Sequence, residues 1–510
     1  MVEEYVPYYA PSYPQGPVGY HPSGGPVQRL PYRPLKSVEP REGGLLQSRD
    51  PRDCDSDRGP RRDSDRSRGS PNQSVETYII EPGTFPISRA NLEGSAPINI
   101  LSSASWTQPD VIVTGKITTG GNKSWEGVRF QRGQYEVNSR STTSERFVNC
   151  VFEEGWTLIF DGSVQVTFIG CRWEIEGTER RLRSNWDRDS DFDRERDRER
   201  NFRSAVVFLG ASTGTFENCE VNVNDGSTLD SWASIGSTAD SQASGQILFQ
   251  GLRARLSPMG RTETNTRQFT LVEIETSVPI LFTGGSVLIN GRLAEIDIFS
   301  SSQNCNTVTL TVTDSTFTNT NLSEIYVALI KNLWAVQPSR AVSPSIKVIR
   351  VTLTNVRILY YRAPTAGSVC AEWQQNILLS DVTSTFTTAT IATVVSPIDV
   401  EGFTTSTWTI IINNVNISTN FANAPLRFSR LGSLNLLLGS GIFYNYTSGI
   451  TGTAADTASP GAPPWLVLEN IDGTVTIIAS PALSIVGFSS PGTLNIPDLV
   501  TNAGVAPIPF

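Results

Sequence analysis

The sequence predicts an all-β chain, built as a parallel β-solenoid behind a disordered N-terminal arm. Three observations predict it. Charged residues make up 18% of the 510 positions, below the usual quarter, and Ser, Thr, Asn, Val and Ile fill the gap, a β-leaning usage. From residue 77 onward, helical 3.6-residue periodicity is nearly absent. One short frame recurs: "FVNCVF" (147–152), "FIGCRW" (168–173) and "FENCEV" (216–221) each place a cysteine after Asn or Gly, with an apolar residue two positions on.

The arm comes first. Residues 1–40 are rich in Pro, Tyr and Gly, and "SRDPRDCDSDRGPRRDSDRSRG" follows as a mixed-charge tract. Neither can bury a core, so 1–76 reads as disordered and as an anchoring or assembly arm. The start, "MVEEYVPYYAPSYPQ", has no basic region followed by an apolar one, so no signal peptide is expected, and no apolar run is long enough for a membrane span. A formal net charge of −9 gives no global basic character. The insertion at 178–203 contains eight acids and nine arginines, so closely interleaved that they cancel the field phosphate binding needs, and nucleic acid is not an expected partner.

The repeat follows, over about 77–505. The frame also fits "WEGVRF" (125–130), "VTDSTF" (312–317), "LTNVRI" (353–358), "LSDVTS" (379–384) and "INNVNI" (412–417). Aligning Val128, Cys150, Cys171, Cys219, Ser315, Val356, Val382 and Val415 gives gaps of 22, 21, 48, 96, 41, 26 and 33. The 48 contains the charged insertion, and the 96 hides two degenerate copies near Leu252 and Ser286. Short strands at such spacing, without intervening helices, are what stacked coils need, each pairing the exposed edge of the last about 4.8 Å away. Roughly 14 coils would span on the order of 65 Å. Alternation points Cys171, Trp173 and Ile175 inward and Arg172 and Glu174 outward. Stacking then predicts inward columns Val128–Cys150–Cys171–Cys219 and Phe130–Phe152–Trp173–Val221. Loops are expected at 226–245 and 447–464; Trp232 and Trp465 read as loop residues that could stack on sugars. The nearest approach to a helix is "SEIYVALIKNLWAV" (323–336), with Ile325, Leu329 and Leu333 on one face.

"IIEPGTFPIS" (79–88) and the F-x-N-C-x-F copies resemble the first strand, turn and coil repeats of the pectin-lyase-like right-handed parallel β-helix superfamily. The resemblance implies a right-handed winding. It says little about function, because that scaffold hosts lyases, hydrolases, tailspikes and structural proteins.

The candidate chemistry is narrow. The chain's single histidine, His21, lies in the arm, which excludes an imidazole base in the folded part. It also departs from the polygalacturonase branch, whose members set a histidine beside paired aspartates. The cysteines lack CxxC spacing; without a secretory signal they read as reduced, buried thiols at an inside corner, although stacking would bring them within disulfide reach. The acidic pairs Glu273/Glu275 and Glu295/Asp297 each share a strand face, and Glu273 and Glu295 lie 22 residues apart, about one coil. Four stacked carboxylates could hold Ca²⁺ or divide into acid and nucleophile for glycoside cleavage; otherwise they are an outer polar face balanced by Arg261, Arg267 or Arg292.

The expected function is structural or surface-binding: a component of a virion or other particle surface, made in the cytoplasm. It would self-assemble or join other particle proteins through residues 1–76, with no cofactor. The resemblance also admits a homotrimer. The alternative is a polysaccharide lyase or glycoside hydrolase using the acidic patch, the one case in which Ca²⁺ or a polysaccharide would be bound.

Overall fold

A computed structural model describes residues 76–80, 83–88, 97–102, 111–175, 204–224, 229–236, 246–257, 268–274, 278–290, 295–301, 308–320, 325–331, 345–362, 374–386, 396–402, 407–419, 426–439, 443–447, 454–455, 466–469 and 475–479. The arm and the 178–203 insertion lie outside them. The chain divides into two units, 1–70 and 71–510; all described residues belong to the second. Among them there is no helix, and every pairing but one is parallel; the exception is the two-residue contact of Phe443–Thr447 with Ala454–Ala455. That contact falls inside the loop expected at 447–464.

The strands form three parallel ladders. The first runs through Glu76–Ile80, Ile98–Ser102 and Lys123–Glu126, then the C-terminal halves of Arg129–Val148 and Trp156–Ile169. It continues through Thr213–Glu217, Ile247–Gln250 and Ile280–Thr283, then the N-terminal halves of Thr309–Asn319, Ser345–Thr354, Gln374–Thr385 and Thr407–Thr419, to Ser433–Leu438 and Val475–Ala479. The second includes Val151–Glu153, Arg172–Ile175, Glu220–Val223, Arg253–Leu256 and Ser286–Ile289. The third includes Ser204–Phe208, Ser231–Ile235, Gln268–Ile274, Glu295–Ser301, Tyr326–Lys331, Arg357–Arg362, Ile398–Glu401 and Leu426–Ser429. The segment 323–336 therefore contributes a strand where a helix-like face had been expected. "IYVAL" (325–329) is buried along its whole length, and a run apolar on both faces has no strict period to separate strand from helix.

The recurring frame is the corner between the first and second ladders. Its first aromatic stands in the first ladder, where Phe147, Phe168, Phe216, Phe249 and Phe282 are register partners in turn. Their rings stack at 5.1 Å (147–168), 4.7 Å (168–216) and 4.9 Å (216–249). Each such pair adds about 0.5–1.5 kcal/mol beyond its burial. The third residue of the frame turns the chain. Asn149, Asn218, Asp314, Asp381 and Asn414 have φ between 49° and 56°, and Gly127, Gly170, Gly251 and Gly284 between 59° and 67°. This left-handed region is open to Gly and tolerated by Asn and Asp. The sequence shows Asn here because of its backbone conformation, more than for any hydrogen bond of its amide. Arg350 (φ 53°) is the exception, and its guanidinium is held by both carboxylate oxygens of Asp314, at 2.5 and 2.8 Å.

After the turn comes the inward corner residue. The N–H groups of Val151, Arg172, Glu220 and Arg253 donate to the carbonyls of Val128, Cys150, Cys171 and Cys219, so these four stand one above another as expected. The column Phe130–Phe152–Trp173–Val221 is equally in register. Within the 96-residue gap, Leu252 takes the corner seat, but the next occupant is Gly285, one residue before Ser286. Val356 is not in the column. The residue between Ser315 and Val382 is Val351. "LTNVRI" imitates the frame because Asn355 (φ 53°) makes a left-handed turn at a different corner, ahead of the third ladder.

The corner column yields a test. A Cβ on Gly251 would sit 2.5 Å from Asn218 Oδ1 on a backbone at φ +67°. Gly251→Ala is expected to cost about 2–3 kcal/mol, combining left-handed strain of about 1–2 kcal/mol with the clash. In an Asn218→Gly background only the strain should remain. Urea midpoints at unchanged m-value, arranged as a double-mutant cycle, measure both parts.

Candidate functional site

The first and second ladders alternate buried and partly exposed positions, as in Arg172–Ile175 and Glu220–Val223. The third does not. All five residues of Ser204–Phe208 and of Ser231–Ile235 are buried. One side of this ladder joins the central core through Val206, Ala233, Val272, Phe299, Ala328, Leu359 and Ile398. Ile159, Val207 and Leu329 are buried but stand outside that core cluster, on the opposite face. That outer face is the candidate site.

Two columns line it. Ile159, Val207, Ser234, Glu273, Ser300, Leu329, Tyr360, Asp399 and Arg427 are successive register partners. Beside them run Ser204, Ser231, Thr270 and Asp297, with Tyr326 and Arg357 paired further along. Contacts join the columns. The Ser231 hydroxyl, 2.6 Å from that of Ser204, also donates to Glu273 Oε2 at 3.5 Å. The Tyr326 and Tyr360 rings lie 5.4 Å apart, and the Arg357 guanidinium lies 5.4 Å over the Tyr326 ring. Arg427 donates to both carboxylate oxygens of Asp399, at 3.1 and 3.3 Å. Burial, with the nearby Asp230 charge adding to it, raises the Glu273 pKa against the opposing Ser231 hydrogen bond.

Register does not set Glu295 beside Glu273, as the expected four-carboxylate patch requires. Glu295 pairs with Gln268 and Asp297 with Thr270, whereas Glu273 lies between Ser234 and Ser300. The 22-residue spacing suggested one level, but the level here is 27 residues, from Gln268 to Glu295. Asp297 is buried in the second column. Glu275, Arg261, Arg267 and Arg292 lie outside the described residues. Among the described residues no three His, Cys, Asp or Glu side chains are grouped to hold a metal ion. Trp232 does not lie in a loop. It is fully buried in a strand against Trp173, Phe216 and Phe249, and Trp465 lies outside the described residues. Asp230, Tyr326, Arg357 and Tyr360 were not singled out from sequence. The available signal was the loss of alternation in "SAVVF", "SWASI" and "YVALI", which marks strands covered on both faces.

A second titratable cluster sits inside the core. Lys123 and Glu145 are register partners, and both are buried. Tyr135 donates its hydroxyl to Glu145 Oε2 at 2.5 Å, and the Lys123 backbone N–H donates to Oε1 at 3.2 Å. Trp125 Nε1 donates to the Tyr135 oxygen at 3.3 Å, and Lys123 Nζ to the Gly121 carbonyl at 2.9 Å. Burial outweighs these donors and the Lys123 charge, pushing the Glu145 pKa up to about 8; burial likewise lowers the Lys123 pKa.

No protein-family model, curated protein or solved structure matches the chain. No helix among the described residues is long and apolar enough to cross a membrane.

The Glu145 shift has a definite sign. A carboxyl that keeps its proton in the fold but loses it when unfolded makes stability fall as pH rises, from about 4.5 to about 8, with a limiting slope of about 1.4 kcal/mol per pH unit. Stability measured from pH 5 to 8 should decline, and Glu145→Gln should flatten the decline. An unchanged slope in the variant would refute the assignment.

Proposed function

We propose that residues 77–505 wind as a right-handed parallel β-helix of the pectin-lyase-like kind. In this reading the protein is a structural or surface-binding component of a virion or other particle, made in the cytoplasm and attached by residues 1–76. The observation that carries it is the continuity of the three ladders. Each segment hydrogen bonds in register to the next, around a corner that repeats from Gly127 to Asn414. A stack tied level by level is stiff, and a stiff stack suits display more than hinge motion. Register sets Glu295 beside Gln268 and not beside Glu273, which favours the structural reading over the one-coil carboxylate stack first considered for the enzymatic alternative. Assembly through the arm, including a homotrimer, belongs to the same proposal. Sedimentation of the full chain is expected to show assemblies that a chain lacking residues 1–76 does not form; identical profiles would overturn the role of the arm.

One observation favours polysaccharide recognition or cleavage as the second reading. The third ladder's outer face joins a partly buried Glu273, whose pKa burial and the nearby Asp230 charge raise, to serine hydroxyls and a tyrosine pair. Carboxylates in unlike environments can divide acid and nucleophile roles, and tyrosine rings can stack on sugars. A polysaccharide panel, with and without Ca²⁺, on wild type and Asp230→Asn/Glu273→Gln separates the readings. The structural reading expects no cleavage by either protein. Cleavage that the double variant loses would replace it with the enzymatic one.

A further inference from the structure

Cys150, Cys171 and Cys219 occupy consecutive seats of one inward column, each fully buried and each a free thiol. The stacking is fixed by backbone hydrogen bonds. Arg172 N–H donates to the Cys150 carbonyl at 2.9 Å, and Glu220 N–H to the Cys171 carbonyl at 2.8 Å. The three thiols share one orientation. Each donates to the carbonyl two residues before it, Val148 at 3.4 Å, Ile169 at 3.6 Å and Glu217 at 3.5 Å. Each also reaches a carbonyl of the preceding level, those of Trp125 at 3.6 Å, Phe147 at 3.4 Å and Phe168 at 3.6 Å. Adjacent strands are about 4.8 Å apart, inside the Cα separation a disulfide accepts, about 4.4–6.8 Å.

We infer that this column is a site of disulfide cross-linking between adjacent levels, in which Cys171 pairs with either Cys150 or Cys219 but never with both. The third thiol must always remain reduced, because Cys150 and Cys219 are two levels apart, about 9.6 Å, beyond disulfide reach. The oxidant is a small disulfide such as oxidised glutathione, acting while the levels are still open during folding. One cysteine thiolate attacks it, forming a mixed disulfide and releasing one glutathione thiolate. The neighbouring thiolate then attacks the protein sulfur of that mixed disulfide, forming the S–S bond and releasing the second glutathione. Two thiols are oxidised, one glutathione disulfide is reduced, and the two thiol protons pass to the departing thiolates. Once the stack closes, burial of all three positions shields the bond from attack, so whichever form closes first persists. The two products differ in what they tie together. Pairing with Cys150 joins positions 21 residues apart, whereas pairing with Cys219 joins positions 48 apart, across the charged 178–203 insertion.

The test is refolding of the full reduced chain in a mixture of oxidised and reduced glutathione, followed by alkylation and peptide mapping by mass spectrometry. Two linked species are expected, 150–171 and 171–219. Every molecule should retain one alkylated thiol among the three, and the oxidised product should melt higher than the fully reduced one. Cys171→Ser should lose both links, whereas Cys150→Ser should keep 171–219. If the serine variant does not fold, Cys171→Ala takes its place, and the wild-type map is decisive by itself. Folded wild type with all three thiols alkylated, or a 150–219 link, would overturn the inference.

Discussion

Everything in this protein depends on one constraint: each level must hydrogen bond in register to the level before it. Parallel pairing across about 4.8 Å leaves little freedom to slip within a strand, because a one-residue slip would turn every inward side chain outward; the register shifts at irregularities between Thr114 and Gly115 and between Ser139 and Thr143. The register therefore has to be reset at each turn. The corner from the first to the second ladder does this with one left-handed residue, and the same geometry recurs at Gly127, Asn149, Gly170, Asn218, Gly251 and Gly284. Glycine and asparagine are linked along this column. Beside Asn149 stands Gly170, and beside Asn218 stands Gly251, where a Cβ would collide with the asparagine carbonyl oxygen of the level below. With the corner fixed, an identical seat follows at every level. Aromatic rings stack on aromatic rings and thiols on thiols because like positions are superposed.

Two groups of polar side chains inside this lattice satisfy one another. Glu145, Tyr135, Trp125 and Lys123 form one connected network, and Asn319 and Asn355 exchange amide-to-carbonyl hydrogen bonds with each other. An unmet buried polar group costs about 1–3 kcal/mol, so such pairs persist only where both members are placed by the ladders. The carboxyl of Glu145 avoids a buried charge by keeping its proton, which is why its pKa rises although two donors favour the ionised form.

Much of the fold was legible because the first corner is written in chemistry that few residues share. Asn, Gly or Asp before a small or apolar residue marked the true corner at Val128, Cys150, Cys171, Cys219, Ser315, Val382 and Val415. It failed at Val356 because a second left-handed turn, at Asn355, carries the same local signature. The candidate site was harder to read. Glu273 was identified, but its neighbours follow from register, and register across the 268–295 level depends on connections whose length the eye cannot assign in advance. Alternation also misled where it vanished: "SWASI" reads as a polar loop until Trp232 is found inside the core.

The distribution of those connections argues for where function can vary. Between the first and second ladders the turn is one left-handed residue and one corner residue from 127–128 through 170–171 to 284–285, although residues 103–110 separate Ser102 from Val111 at an earlier level. Between the second and third ladders it ranges from Ile175 to Ser204 at one level and from Leu256 to Gln268 at another; between the third and first it runs from Ile235 to Ile247 and from Lys331 to Ser345. Lengthening a loop is inexpensive, about 0.6 kcal/mol for each doubling, provided it leaves the register intact. From Gly127 to Gly285, the long connections therefore fall at the two corners that flank the third ladder. The face bordered by those corners is the one whose outer side carries Glu273, Tyr326, Arg357 and Asp399 in place of the plain polar alternation seen elsewhere. The constraint that holds the first corner rigid is thus what directs sequence change, and with it any binding chemistry, toward the third ladder.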